Sequence, residues 1–198
     1  MPRVIRYLTH PEVLIDPSKD IRSWSLNAVG LGRVNALAQS GALRGTNAIF
    51  SSGETKAIET ATPLANALGC VLTIRERMHE NDRSATGFLP PKEFEAVADL
   101  FFAHPDESVR GWETATAAQA RIVGEVQVSL PDAPNGDVLF VGHGGVGTLL
   151  YCHLASVPIS RKYDQTAGGG CFFEFSDEQT TPKTGWRPMA ELTDQDRP

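Results

Sequence analysis

The chain has 198 residues, 41% of them hydrophobic and 21% charged, which is enough length and apolar content for one domain to bury a core without disulfide or metal staples. Its formal net charge of -6 at pH 7 gives no chain-wide attraction to nucleic acid or anionic membrane, and no basic run supplies a local one. The apolar stretch before His10 and Pro11 is too short for a secretory signal, and no run of about eighteen apolar residues suggests a membrane span, so a cytoplasmic protein is expected. Cys70, Cys152 and Cys171 are odd in number, widely spaced and set among apolar neighbours, which suits reduced core thiols.

Val4, Ile5, Tyr7 and Leu8 form a short apolar run ending at Thr9-His10-Pro11, as expected of a buried strand that stops in a loop. Ser25 is placed to cap a helix through about Gln39, with Val29, Val34, Leu37 and Ala38 on its inner face. Ala48-Ile49-Phe50 reads as a second strand, Ser51-Ser52-Gly53 as a turn, and Glu54 to about Leu68 as a helix. A third strand is expected at Cys70 to Ile74. The polar segment after Glu80 holds one helix, Lys92 to Ala103, and residues 82–112 are expected to form a cap over the strand ends.

A helix from Glu113 to about Ser129 and a strand at Val138 to Val141 follow, then a helix from Val146 to Ala155 and a last strand from Cys171 to Phe175. The polar tail from Asp177 reads as loop. Alternating strands and helices predict a three-layer α/β/α sandwich around a mainly parallel sheet. In such sheets ligands bind beyond the carboxyl ends of the strands, and His10 and His143 each follow a predicted strand directly. His79, His104 and His153 have no such placement and read as surface or hydrogen-bonding residues.

Gly142-His143-Gly144-Gly145-Val146-Gly147 satisfies a G-x-G-x-x-G pattern between a strand and a helix, which admits a dinucleotide-binding module as an alternative. The acidic residue and second half-sheet that this fold requires are missing downstream. The segment's anion-binding physics remains in either case: glycines such as Gly144 permit close approach, and a helix amino terminus offers N–H groups to a phosphoryl oxygen.

Several segments taken in order resemble the histidine phosphatase (phosphoglycerate-mutase-like) superfamily over roughly residues 3–175. Tyr7-Leu8-Thr9-His10-Pro11 is similar to its Arg-His-Gly motif, and Val141-Gly142-His143-Gly144-Gly145 to its second histidine motif. The run from Ser51 to Ala61 resembles Ser-x-x-x-x-Arg-Ala-x-x-Thr-Ala, with Lys56 at the arginine position. Glu80 falls where the family's acid follows the third strand, and Gly111-Trp112-Glu113-Thr114 with Arg121 is similar to a Gly-x-Glu-Ser segment and its downstream arginine.

The resemblance implies a phosphoglycerate-mutase-like fold and a hydrolase that uses neither metal nor cofactor. His10 would be the phosphoryl acceptor, Glu80 a general acid and base with a raised pKa, and His143 a donor to a phosphoryl oxygen. Lys56 would supply fixed charge. Thr9 and Lys56 stand where the family carries arginines, leaving a poorer trap for a phosphate dianion, with Arg83 able to swing in from the cap and Arg6 more consistent with surface charge. Three readings follow: a phosphatase acting on a small phosphate ester or phosphoprotein, a catalytically weakened member that binds a phosphorylated ligand, or the dinucleotide module. Substrate and oligomeric state are not legible from these residues.

Overall fold

The computed structural model describes residues 3–192. Six strands form one sheet: β1 (Val4–Thr9), β2 (Thr46–Ser51), β3 (Val71–Ile74), β4 (Asp137–Gly142), β5 (Cys171–Ser176) and β6 (Arg187–Pro188), in the order β3-β2-β4-β1-β5-β6. β3, β2, β4 and β1 run parallel, whereas β5 is antiparallel to both β1 and β6, so the sheet is mixed. Among the described residues five α-helices cover it: α1 (Ala28–Ser40), α2 (Thr55–Leu68), α3 (Pro91–Ala103), α4 (Ala115–Ser129) and α5 (Gly144–Leu154).

Period-two alternation along the strands sorts side chains to the two faces. Ile5, Tyr7, Phe50, Phe140 and Phe173 join Phe101, Ile122 and Leu149 from α3, α4 and α5 in one cluster. Leu8, Ile49, Leu139 and Phe172 meet Val34, Leu37, Ala61 and Leu64 from α1 and α2 in the other. This double coverage explains why the central strands read as continuous apolar runs and not as alternating ones. The architecture is the expected α/β/α sandwich.

Three local expectations fail for identifiable reasons. Asn27, not Ser25, caps α1, its side chain accepting the Gly30 N–H at 2.9 Å. Ser25 lies in the segment before the cap, its carbonyl accepting the Leu14 N–H at 2.9 Å. Val29 consequently faces outward, while Gly30 is needed where it stands: a Cβ there would fall 2.4 Å from the Glu12 carbonyl oxygen.

The tail is not all loop. Trp186 meets Phe173 edge-on at 4.8 Å, β6 pairs with β5, and Met189 and Leu192 are buried. A few apolar residues in a polar tail show no periodicity from which this docking could be read. The third correction concerns Arg6, which is buried on β1 and pairs with Glu174 at 2.6 Å and Asp137 at 3.4 Å instead of lying at the surface. Residues 193–198 of the expected tail loop lie outside the described residues.

Candidate active site

β1 and β4 are adjacent and parallel, with Thr9 opposite Gly142, so the residues that follow them leave the same sheet edge side by side. The His10 N–H donates to the Gly142 carbonyl at 3.0 Å, and the two imidazoles meet edge to face with centroids 5.3 Å apart. Tyr7 fixes the second histidine from below: its hydroxyl accepts the His143 N–H at 3.1 Å and donates to the His143 carbonyl at 3.2 Å.

Tyr7 also accounts for two of the glycines. A Cβ on Gly142 would fall 2.3 Å from Tyr7 Oη, and one on Gly147 would fall 2.6 Å from the same ring. Gly145 has a comparable neighbour, Glu80 Oε1, 2.7 Å from where its Cβ would be. With Gln165 Nε2 2.3 Å from where a Cβ on Gly144 would be, this chain's own side chains account for all three glycines of the G-x-G-x-x-G pattern without a pyrophosphate.

His10 Nδ1 lies 2.8 Å from the Pro11 carbonyl oxygen. A carbonyl only accepts, so Nδ1 carries the proton and Nε2 keeps its lone pair. Burial, then the neighbouring His143 and Lys56, push the His10 pKa down to about 3, which leaves the ring neutral near pH 7. Burial lowers the His143 pKa as well, against the pull of Glu54 and Glu80. His143 Nε2 is 2.8 Å from Ser52 Oγ, and its Nδ1 is buried with no partner among the described residues.

Glu80 sits at the amino terminus of α5, accepting N–H bonds from Gly145 at 3.1 Å, Val146 at 3.0 Å and Asn81 at 3.0 Å. A carboxylate of this protein thus occupies donors that the sequence offered to a phosphoryl oxygen. Burial favours a raised pKa for Glu80, but His143, Arg83 and the Asn81 N–H outweigh it and hold it below the usual carboxylate range. The expectation of a raised pKa is corrected, because three N–H donors and nearby positive charge favour the ionised carboxylate.

The loop carrying Glu80 is clamped from α4. Arg121 bonds both Glu113 oxygens, at 3.0 and 2.7 Å, and donates to the carbonyls of Arg77 at 2.7 Å and His79 at 2.9 Å. Arg83 lies over the Phe94 ring at 4.9 Å and lines a cavity of about 420 Å³ that reaches Glu54 and Glu80. Trp112 and Phe94 hold it there from the segment expected as a cap.

Lys56 is buried on the first turn of α2, where it bonds the Glu54 carboxylate and the Ile21 carbonyl, the latter at 2.9 Å. Glu54 went unnoticed in the sequence, yet it is central: Oε1 accepts the Glu80 N–H at 2.9 Å and lies 3.6 Å from His143 Nε2. Burial works to raise its pKa, but His143 and Lys56 bring it down to about 2. Its position two residues before Lys56 was the available signal. Ser52 reads in the sequence as a turn residue and Tyr7 as core, yet both hydrogen-bond His143.

Thr9 is fully buried and its hydroxyl is engaged, accepting the Cys171 N–H at 3.0 Å and donating to Gln165 Oε1 at 2.6 Å. An arginine at this position would need Gln165 and Cys171 to move. Gln165 reaches the site from a distant loop, with its Nε2 packed against Gly144, and no local pattern announces it. Among the described residues no cluster of three or more His, Cys, Asp or Glu side chains could hold a metal ion, and no helix is long and apolar enough to cross a membrane. Cys70, Cys152 and Cys171 are free thiols.

Fold and site define a doubly covered α/β protein with a neutral histidine pair at the carboxyl edge of its sheet. The chain belongs to the histidine phosphatase superfamily (branch 1), whose family model matches residues 15–184. That span begins beyond His10, so membership rests on the remainder of the chain. Its fold is similar to that of mycobacterial glucosyl-3-phosphoglycerate phosphatase, with a TM-score of 0.72 and 20% identity over 98% of this chain and 99% of that one. It also resembles Bacillus stearothermophilus YhfR, with a TM-score of 0.74 and 17% identity over 92% and 95% of the two chains. Entamoeba histolytica phosphoserine phosphatase, solved with 3-phosphoglyceric acid, gives a TM-score of 0.73 and 16% identity over 93% and 96%. Among curated protein sequences, none matches the chain.

Proposed function

We propose that the protein hydrolyses phosphomonoesters through a phosphohistidine on His10. The observation that carries this reading is the placing of His10, its Nδ1 2.8 Å from the Pro11 carbonyl so that Nε2 is the free nucleophile, and its ring edge to face with His143. Nε2 attacks phosphorus as the bond to the leaving oxygen breaks; water then attacks the same phosphorus, the N–P bond breaks, and phosphate leaves. Glu80, ionised at rest, takes the proton of the attacking water.

The buried His143 Nδ1, which has no partner among the described residues, is the ring position left for a phosphoryl oxygen, with Ser52 donating to Nε2 so that Nδ1 carries a proton. Lys56 adds charge that it shares with Glu54. The cavity beside Glu54 and Glu80, to whose wall the start of segment 82–112 contributes Arg83 and Phe88, takes the leaving group and sets specificity for a small phosphate ester or a phosphoprotein. The phosphatases among the similar folds support the reaction class. The pairing of Lys56 with Glu54 favours a second reading, a weakened member that retains a phosphorylated ligand without turning it over.

The test is phosphate release from a panel of phosphomonoesters in excess chelator, with His10→Ala as control. Release by the wild-type protein and none by the variant is expected. Release that persists in His10→Ala, or activity that vanishes with chelator and returns with metal, overturns the proposal; binding without turnover selects the second reading.

A further inference from the structure

Glu54 is a buried carboxylate that the proposed reaction does not use, placed against the pocket's own cation. It faces Lys56 on α2, His143 before α5, Ser52 after β2 and the backbone of Glu80 after β3. Glu76 lies beside it across Gly53, and the charges of Tyr7, when ionised, and of Arg121 act on the same neighbourhood. With both imidazoles neutral, the carboxylates of Glu54 and Glu80 balance Lys56 and Arg83. Lys19 and Arg22, which line the cavity with Arg83, are engaged by Asp16 and Asp20. The pocket therefore offers no net positive charge to a dianion.

The proton inventory points the same way. Glu80 at rest is ionised and bound by three N–H groups, so it holds no proton for a leaving alkoxide. A phosphomonoester monoanion carries one itself.

We propose that Glu54 is a specificity-determining residue that restricts the site to phosphomonoesters bound as the singly charged monoanion and excludes the dianion. The inference rests on His10 as phosphoryl acceptor. His10 Nε2 bonds to phosphorus, the P–O bond to the leaving group breaks, and the proton on the phosphoryl oxygen passes to the departing oxygen to give the free alcohol. Glu54 acts through Lys56, limiting how much charge that ammonium can offer.

The experiment follows hydrolysis of p-nitrophenyl phosphate, a monoester that ionises a second time near about pH 6, on both sides of that ionisation. For the wild-type protein, kcat/KM should fall about tenfold per pH unit above that ionisation. Glu54→Gln should remove the slope and improve use of the dianion at least about tenfold. Glu54→Asp, which keeps the charge, should keep the slope.

A wild-type monoester profile that is level or rises above the ionisation overturns the proposal, as does an unchanged slope in Glu54→Gln. Should Glu54→Gln fail to fold, calorimetric binding of inorganic phosphate to the wild-type protein decides. Binding that weakens as the anion takes its second charge supports the proposal, and tighter binding of the dianion contradicts it. Hydrolysis that survives His10→Ala removes the functional reading alone, because the phosphate-binding arm still reports on Glu54.

Discussion

Two buried cation–carboxylate clusters lie within this molecule and differ in what surrounds them. Arg6 on β1 pairs with Glu174 directly across on β5 and with Asp137 at the start of β4, so three neighbouring strands are cross-linked inside the sheet. Lys56 pairs with Glu54 on one turn of chain at the sheet's carboxyl edge, beside His143 and the wall of a cavity. The first is closed by its own partners. The second has an unpartnered imidazole nitrogen next to it and reaches the space a ligand would enter. Similar ion-pair chemistry thus serves cohesion in one place and electrostatic tuning in the other, and position relative to the strand ends separates the two roles.

The largest expected difference between them is in activity. Lys56→Met should lower kcat/KM by about 10² to 10³, the usual consequence of losing one donor to a developing oxyanion. Arg6→Met should leave kcat/KM per folded molecule unchanged while costing about 3 to 5 kcal/mol of stability, because Glu174 is left buried without its partner. Denaturant unfolding beside steady-state kinetics reads both. Equal losses of activity in the two variants would erase the distinction.

A smaller effect concerns acid. The His10 pKa falls from 6.5 to about 3 on folding and that of Glu54 from 4.5 to about 2, so between these limits the unfolded chain binds more protons than the folded one. Stability is therefore fully present above about pH 6.5 and declines as pH falls, first through His10 and then, below about pH 4.5, through Glu54 as well. His143 shifts in the same direction, whereas Asp164, whose pKa is raised by burial, opposes it. Urea midpoints should drop between about pH 6.5 and 4.5, and less so in His10→Asn. A midpoint that holds or rises on acidification would show that the edge cluster is not desolvated as described.

The fold was readable because its signals are local: apolar runs at β1, β2 and β4 and turn residues between them. The histidine pair was readable for the same reason, since each ring follows its strand without an intervening residue. Glu54 was not, because its importance arises when α2 brings it against His143, far along the chain. Gln165 and Arg6 were hidden in the same way. Their partners, Thr9 in one case and Glu174 in the other, are set by strand order and register, and no spacing rule carries that information. The Gly142 to Gly147 pattern points the other way, since Tyr7 and Gln165 demand its glycines for packing.

The most direct test of the central claim is to mix enzyme with a phosphomonoester in a single turnover, quench into base, and locate covalent phosphate by intact-protein mass and peptide mapping. One phosphoryl group on His10 is expected, transient in the wild-type protein and absent from His10→Ala. Turnover with no phosphorylated His10 at any time, or a phosphoryl group on another residue, would contradict it.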